Sequence, residues 1–221
     1  MPNSRPESRD SGDLRLVRTA HADSLEIVDP ESGRSAVVVR PGEDVLVMDD
    51  LVRLDRLASA ATNLAASPDA HRELIDLVEA EPLPVLTGLS WIIALWCVAC
   101  EVRTGMSAIE GARGLDYHGA WRRTPAPDDE HMWNALTQRV RIGVLAALSE
   151  DEQARRAFAQ AIANPPGVAR ALAHHTVVLM DGFRQDMTSN GLRPQHLLTT
   201  FAEHTHPTTH PRRCFTPSRQ P

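Results

Sequence analysis

The run from Val85 to Cys100 constrains this chain more than any other stretch. It is apolar along its length apart from Thr87, Gly88 and Ser90, and Glu101 closes it. At about 16 residues it falls short of the ~20 needed to cross a bilayer as a helix. A segment apolar on every side must be covered on every side. The run therefore reads as a buried helix, from about Val85 to Arg103, with other helices packed around it. Composition agrees. Aromatic residues make up only 4% of the chain, and a core drawn from Ala, Leu and Val favours closely packed helices over a large sheet. A length of 221 residues suits one domain with a small addition.

The patterning on either side gives the organisation. Residues 1–23 are polar, rich in Pro, Ser and Arg, and lack hydrophobic periodicity, which reads as a disordered segment. Over 24–48 the period is two: Leu25 and Ile27 alternate with polar neighbours, Asp29-Pro-Glu-Ser-Gly33 has turn chemistry, Ala36–Val39 is a second strand, and Val45–Met48 is a candidate third. This is a small β piece that must pack on something else to be stable. From Asp49 to 203 the period becomes helical. Asp49 or Asp50 is the expected cap of a helix whose inner face is Leu51, Leu54, Ala58, Ala61 and Ala65, with Asp55 on a solvated side. Ser67-Pro68 starts a second helix with His71, Leu74, Ile75 and Val78 inward, and Glu81-Pro-Leu-Pro84 breaks it. Short helices are expected over 107–113 and 116–123. A longer one begins at Asp128-Asp-Glu130 with Met132, Leu136, Val140, Val144 and Leu148 inward. Ser149-Glu-Asp-Glu152 has capping-box spacing. A long helix over 168–189 stops at Asn190-Gly191, and a short one covers 194–203. Residues 204–221, rich in His, Pro and Arg, read as a disordered tail. The fold class is mainly α: a helical bundle-like domain with an N-terminal β-hairpin or three-stranded β piece and disordered ends.

Charge and cysteine content set the surroundings. The net charge of -6 disfavours non-specific attraction to nucleic acid or an anionic membrane. Eight acids against three Arg between Asp49 and Glu81 mark an acidic surface. All 23 basic residues are Arg, which fits a GC-rich bacterial coding sequence and removes side-chain Schiff-base chemistry. Three cysteines, Cys97, Cys100 and Cys214, form no disulfide framework, and the N-terminus carries no apolar signal core, so the expected compartment is the cytoplasm.

Four constellations are candidates for chemistry. Gly105–Arg123 has the outline of a helix-turn-helix, with Tyr117 and His118 at base edges and Arg113, Arg122 and Arg123 on phosphates. Against it stand Glu110 where an inward apolar residue belongs, Thr124-Pro125 ending the second helix early, and a local charge of about +1 over 101–123, low for a DNA reader. Cys97-Val-Ala-Cys100 lies late in the apolar helix, not at the helix N-terminus that activates a thiol, and no second pair completes a zinc site. His204-x-His206-x-x-x-His210 falls in the tail, and the adjacent His174 and His175 diverge by about 100° on a helix. No nucleotide-binding, phosphate-binding or nucleophile-elbow motif occurs. The expectation is accordingly no catalytic residue, no metal and no cofactor. The expected role is a non-enzymatic interaction, assembly or regulatory factor whose partner is another protein, met through the exposed edge of the β piece. Two alternatives stay open: a DNA-binding regulator using Arg113, Tyr117, His118, Arg122 and Arg123, and a small-ligand-binding protein or motif-free enzyme with a helical pocket lined by Trp91, Trp96 and Trp133.

Overall fold

Two prolines decide how the central helix starts. Pro82 pushes Glu81 out of the helical region (φ -138°, ψ 69°), as proline does to the residue before it, and the helix ahead of it stops at Ala80. The first turn of a helix has no use for its N–H groups, so Pro82 and Pro84 are accommodated there. Glu81 closes one helix through its N–H on the Leu77 carbonyl and opens the next by accepting from the Val85 N–H. The apolar helix consequently runs Pro82–Thr104, 23 residues, longer than the sequence reading gave it. By length and composition alone it is sufficient to cross a membrane, so the argument from shortness fails. What is observed instead is that it lies at the centre of the fold, 78% of its most apolar window buried by other elements.

The computed structural model describes residues 13–19, 24–39, 47–62, 67–115, 130–149, 152–163 and 167–205. Among them are three strands, β1 (Arg15–Arg18), β2 (Ser24–Val28) and β3 (Ser35–Val39). The helices are α1 (Met48–Ala61), α2 (Pro68–Ala80), α3 (Pro82–Thr104), α4 (Ala108–Gly114), α5 (Glu130–Ser149), α6 (Glu152–Ala163), α7 (Val168–Ser189) and α8 (Pro194–Thr205). The architecture is mainly α, with a three-stranded antiparallel sheet in the order β1-β2-β3. Helix α3 is packed by α1, α2, α4, α5, α7 and β3. Ser90, buried within it, donates its hydroxyl to the Leu86 carbonyl at 2.9 Å, which removes the cost of placing a polar group there.

The sheet shares this core. Leu25 and Ile27 of β2 and Val38 of β3 belong to the same buried cluster as Leu89, Trp96 and Phe201. Its turn is bolted to the C-terminal end of α3. Arg34 Nη1 donates to the Arg103 carbonyl at 3.0 Å, satisfying one of the acceptors a helix end leaves open. Arg103 in turn pairs with Glu31 (3.4 Å) and Asp29 (3.9 Å). Burial alone raises the Asp29 carboxyl. Hydrogen bonds from the Glu31 N–H and the Ser32 hydroxyl, with the Arg103 charge, outweigh that and hold it below the usual range.

Several expectations are corrected. Arg15–Arg18, inside the segment read as disordered, is a strand; of the candidate strand Val45–Met48, Met48 is the first residue of α1, and residues 45–46 lie outside the described residues. Asp49 and Asp50 lie in the first turn of α1, where the dipole favours them, and the cap position belongs to Val47. Asp55 is not on a solvated face but buried. Ser67 precedes α2 without a side-chain cap bond. Ser149 closes α5 with its hydroxyl on the Leu145 carbonyl. Met132 is exposed, while Leu136, Val140 and Val144 are buried. Ala65 and the expected helix over 116–123 lie outside the described residues. The end of α7 follows expectation: Gly191 takes φ +74°, and the N–H groups of Gly191 and Leu192 bond to the Thr188 and Met187 carbonyls, the Schellman arrangement that glycine permits.

Gly143 sets the approach of α5 to its neighbours. A Cβ there would lie 2.5 Å from Ser90 Oγ on α3 and 2.6 Å from Phe158 Cζ on α6. Gly143→Ala should cost about 1–3 kcal/mol as an overpacking change. Phe158→Leu in the same chain should recover part of that loss, both read by urea unfolding.

Candidate functional site

The sheet offers one face to the core and one to solvent. The register pairs Val17 with Glu26 and Glu26 with Val37, so these three form a row on one face. Val17 is 45% and Val37 58% exposed, both high for valine in a strand. The opposite face, with Leu16, Leu25, Ile27, Ala36 and Val38, is packed against the body. As the central strand is β2, the edges are β1 and β3. β1 is short and carries Arg at both ends, Arg15 and Arg18. β3 reads Ser-Ala-Val-Val-Val without a charge.

The clefts on the helical body, among the described residues, include two that each lie between a pair of helices. One, of about 450 Å³, runs between α1 and α8 and is lined by Asp55, Arg56, Ser59, Gln195, His196 and Thr199 among others. The second, of about 700 Å³, lies between α2 and α7, with His71, Arg72 and Asp76 on one side and Arg170 and His174 on the other. There the imidazoles of His71 and His174 meet edge to face, ring centres 5.6 Å apart and planes at 86°. Burial, with His71 as the lesser cause, lowers the pKa of His174. Arg170 is paired with Glu79 at 2.5 Å and Arg72 with Asp69 at 3.2 Å.

Behind these clefts the polar interior is tied up. Arg184 Nη2 donates to Asp55 Oδ1 at 2.6 Å and to the Asp55 carbonyl at 3.2 Å, and its guanidinium carbon lies 5.1 Å from the centre of the Trp96 ring. Arg184 Nε and Nη1 and Trp96 Nε1 are buried without a hydrogen-bond partner. His175, fully buried and about 100° round α7 from His174, shares a 2.8 Å hydrogen bond with Thr137 Oγ1, and its ring centre lies 4.8 Å from that of Trp133 with the planes inclined at 45°. Burial, then the neighbouring His174, pushes its pKa down to about 4.

The residues singled out from sequence scatter. Arg113 is exposed at the end of α4, while Tyr117, His118, Arg122 and Arg123 lie outside the described residues. Glu110, counted against a helix-turn-helix as an inward residue, is exposed, so that objection falls. The three tryptophans do not share a lining. Trp91 is buried against Phe201, Trp96 against Phe183, and Trp133 is half-buried over His175. Cys97 is buried, and burial, with Cys100 second, raises its pKa; for Cys100 burial, with Asp186 second, pushes it up to about 11. Thiols held protonated are poor nucleophiles. Sequence reasoning missed the Asp55–Arg184 pair and the His71–His174 pair, which join helices far apart along the chain.

Comparison with known proteins returns no matching family model, no matching curated protein and no matching solved structure.

Proposed function

We propose that this chain is a non-enzymatic interaction or assembly factor that takes up an extended segment of a partner protein along β3. The observation that carries the reading is the row Val17–Glu26–Val37, with Val37 exposed on an uncharged edge strand. Exposed edges in native sheets are usually blunted by charge, proline or a bulge. β1 follows that rule and β3 does not. An edge already held rigid by its buried face needs little ordering when a strand is added, and main-chain hydrogen bonds then supply affinity while side chains such as Val37 supply selectivity.

Two further points support the assignment. The Asp55 carboxylate is taken up by Arg184, and the cysteine thiols are held protonated by burial, so these groups serve structure better than catalysis. Free thiols at Cys97 and Cys100 suit a reducing compartment, and the cytoplasm without membrane attachment is the proposed location.

The test uses the full chain and a variant carrying Val17→Lys and Val37→Lys, which set opposite charge beside Glu26, each used for affinity capture from the native host. Because both side chains are exposed, the variant should unfold within a few degrees of the wild type. A stoichiometric protein captured by the wild type should fall at least tenfold with the variant. Equal capture by both, or a discrete DNA sequence enriched in place of a protein, contradicts the reading.

A further inference from the structure

We infer that His71 and His174 together form a two-imidazole site for a divalent transition-metal ion of the zinc, nickel and copper class, in the cleft between α2 and α7. The inference is independent of the role proposed for the sheet. It starts from distance. A zinc ion binds imidazole nitrogen at about 2.0–2.1 Å, which places a ring centre roughly 3.2 Å from the metal by the size of the ring. Two such rings at a tetrahedral angle stand roughly 5 Å apart, centre to centre. The observed centre-to-centre separation of 5.6 Å is close to that value; the rings meet edge to face at 86°, so one of them turns about its side-chain bonds for a nitrogen of each to face an ion. The rings come from different helices, so the spacing is set by the packing of α2 on α7 and does not have to be assembled when an ion arrives.

The electrostatic surroundings suit a cation. The two arginines lining the cleft are each countered: Arg170 by Glu79 and Arg72 by Asp69. Asp76 lines the same cleft and adds negative charge. Among the described residues no group of three His, Cys, Asp or Glu side chains is arranged to hold a metal. The protein therefore supplies two ligands, and the remaining positions are filled by water from the cleft or by a donor from another molecule.

The experiment titrates zinc chloride into the full-length chain by calorimetry at pH 7.5. His204→Ala, His206→Ala and His210→Ala are introduced throughout, so that the tail histidines do not chelate. One zinc per chain in the micromolar range is expected. His71→Ala and His174→Ala should each weaken binding at least tenfold, whereas His196→Ala, in the other cleft, should leave it unchanged. A readout that ordinary loss of packing does not move is the thermal midpoint with and without zinc. It should rise with zinc when both histidines are present, by ligand linkage, and stay fixed in either His variant. Absence of stoichiometric binding, or binding that survives His71→Ala, means the two rings only pack on each other and overturns the proposal.

Discussion

Asp55→Ala is expected to destabilise the fold by about 3–5 kcal/mol, because it leaves the Arg184 guanidinium buried and uncompensated. Arg184 sits 8% exposed, with one nitrogen on the Asp55 carboxylate and carbonyl and two others, Nε and Nη1, without a partner. The pair is thus sealed from water yet incompletely hydrogen-bonded, the situation in which desolvation offsets much of the Coulomb attraction. The same physics predicts that removing both charges is far milder than removing one. Asp55→Leu with Arg184→Met, which keeps an apolar stem against Trp96, should unfold within about 1–2 kcal/mol of the wild type. Urea denaturation of the two singles and the double makes the comparison. Additive losses would mean that the two residues do not act as a pair.

Acid should weaken the protein through His175 well before most carboxylates titrate. The imidazole bonds Thr137 through Nε2, and its Nδ1 is buried with no acceptor. The neutral ring with its proton on Nε2 is comfortable there, whereas the imidazolium would bury an unpaired N–H. Burial of the charged form, with the neighbouring His174 second, lowers its pKa from 6.5 to about 4. The sign follows from linkage: between those values the unfolded chain holds a proton that the folded chain refuses. Stability is therefore complete above pH 6.5, falls as pH drops towards 4, and levels below it. The loss is on the order of 3 kcal/mol for a shift of this size. His174, lowered in the same direction, adds to the slope. His175→Gln keeps an amide for Thr137 and cannot ionise. It should be less stable at pH 7 and lose less between pH 6.5 and 4.5. Parallel pH profiles for the two proteins would remove His175 as the cause.

The helices were legible where local chemistry dictates them. Helix α7 was bounded correctly at 168–189 because Gly191 marks its end, and α3 was placed as the core because an all-round apolar segment has no other home. What the sequence hid is long-range. Arg15–Arg18 has only Leu16 and Val17 as apolar residues and becomes a strand through pairing with β2. Val45–Met48 has the richer strand composition, but Met48 is drawn into α1, where it is buried. Pro82 and Pro84 were read only as breakers of the helix before them, although the same lack of an N–H makes proline suitable for the helix after them.

The candidate site was less legible than the fold. A β piece with an exposed edge was expected from alternation. Which edge carries no charge follows only from the strand order, with β2 at the centre. Asp55 looked like one more acid on an acidic face, and nothing in its neighbours announces Arg184. The same holds for His71 and His174: α7 was judged by its adjacent His174 and His175, which indeed point apart, while the ring that faces His174 comes from α2.

The most direct test of the account is hydrogen–deuterium exchange on the full chain, alone and in complex with the protein it captures. The account predicts new protection in Ser35–Val39, because an added strand occupies the free amides along the β3 edge. Protection confined to the α2–α7 cleft or to α4, with the sheet unchanged, would contradict it.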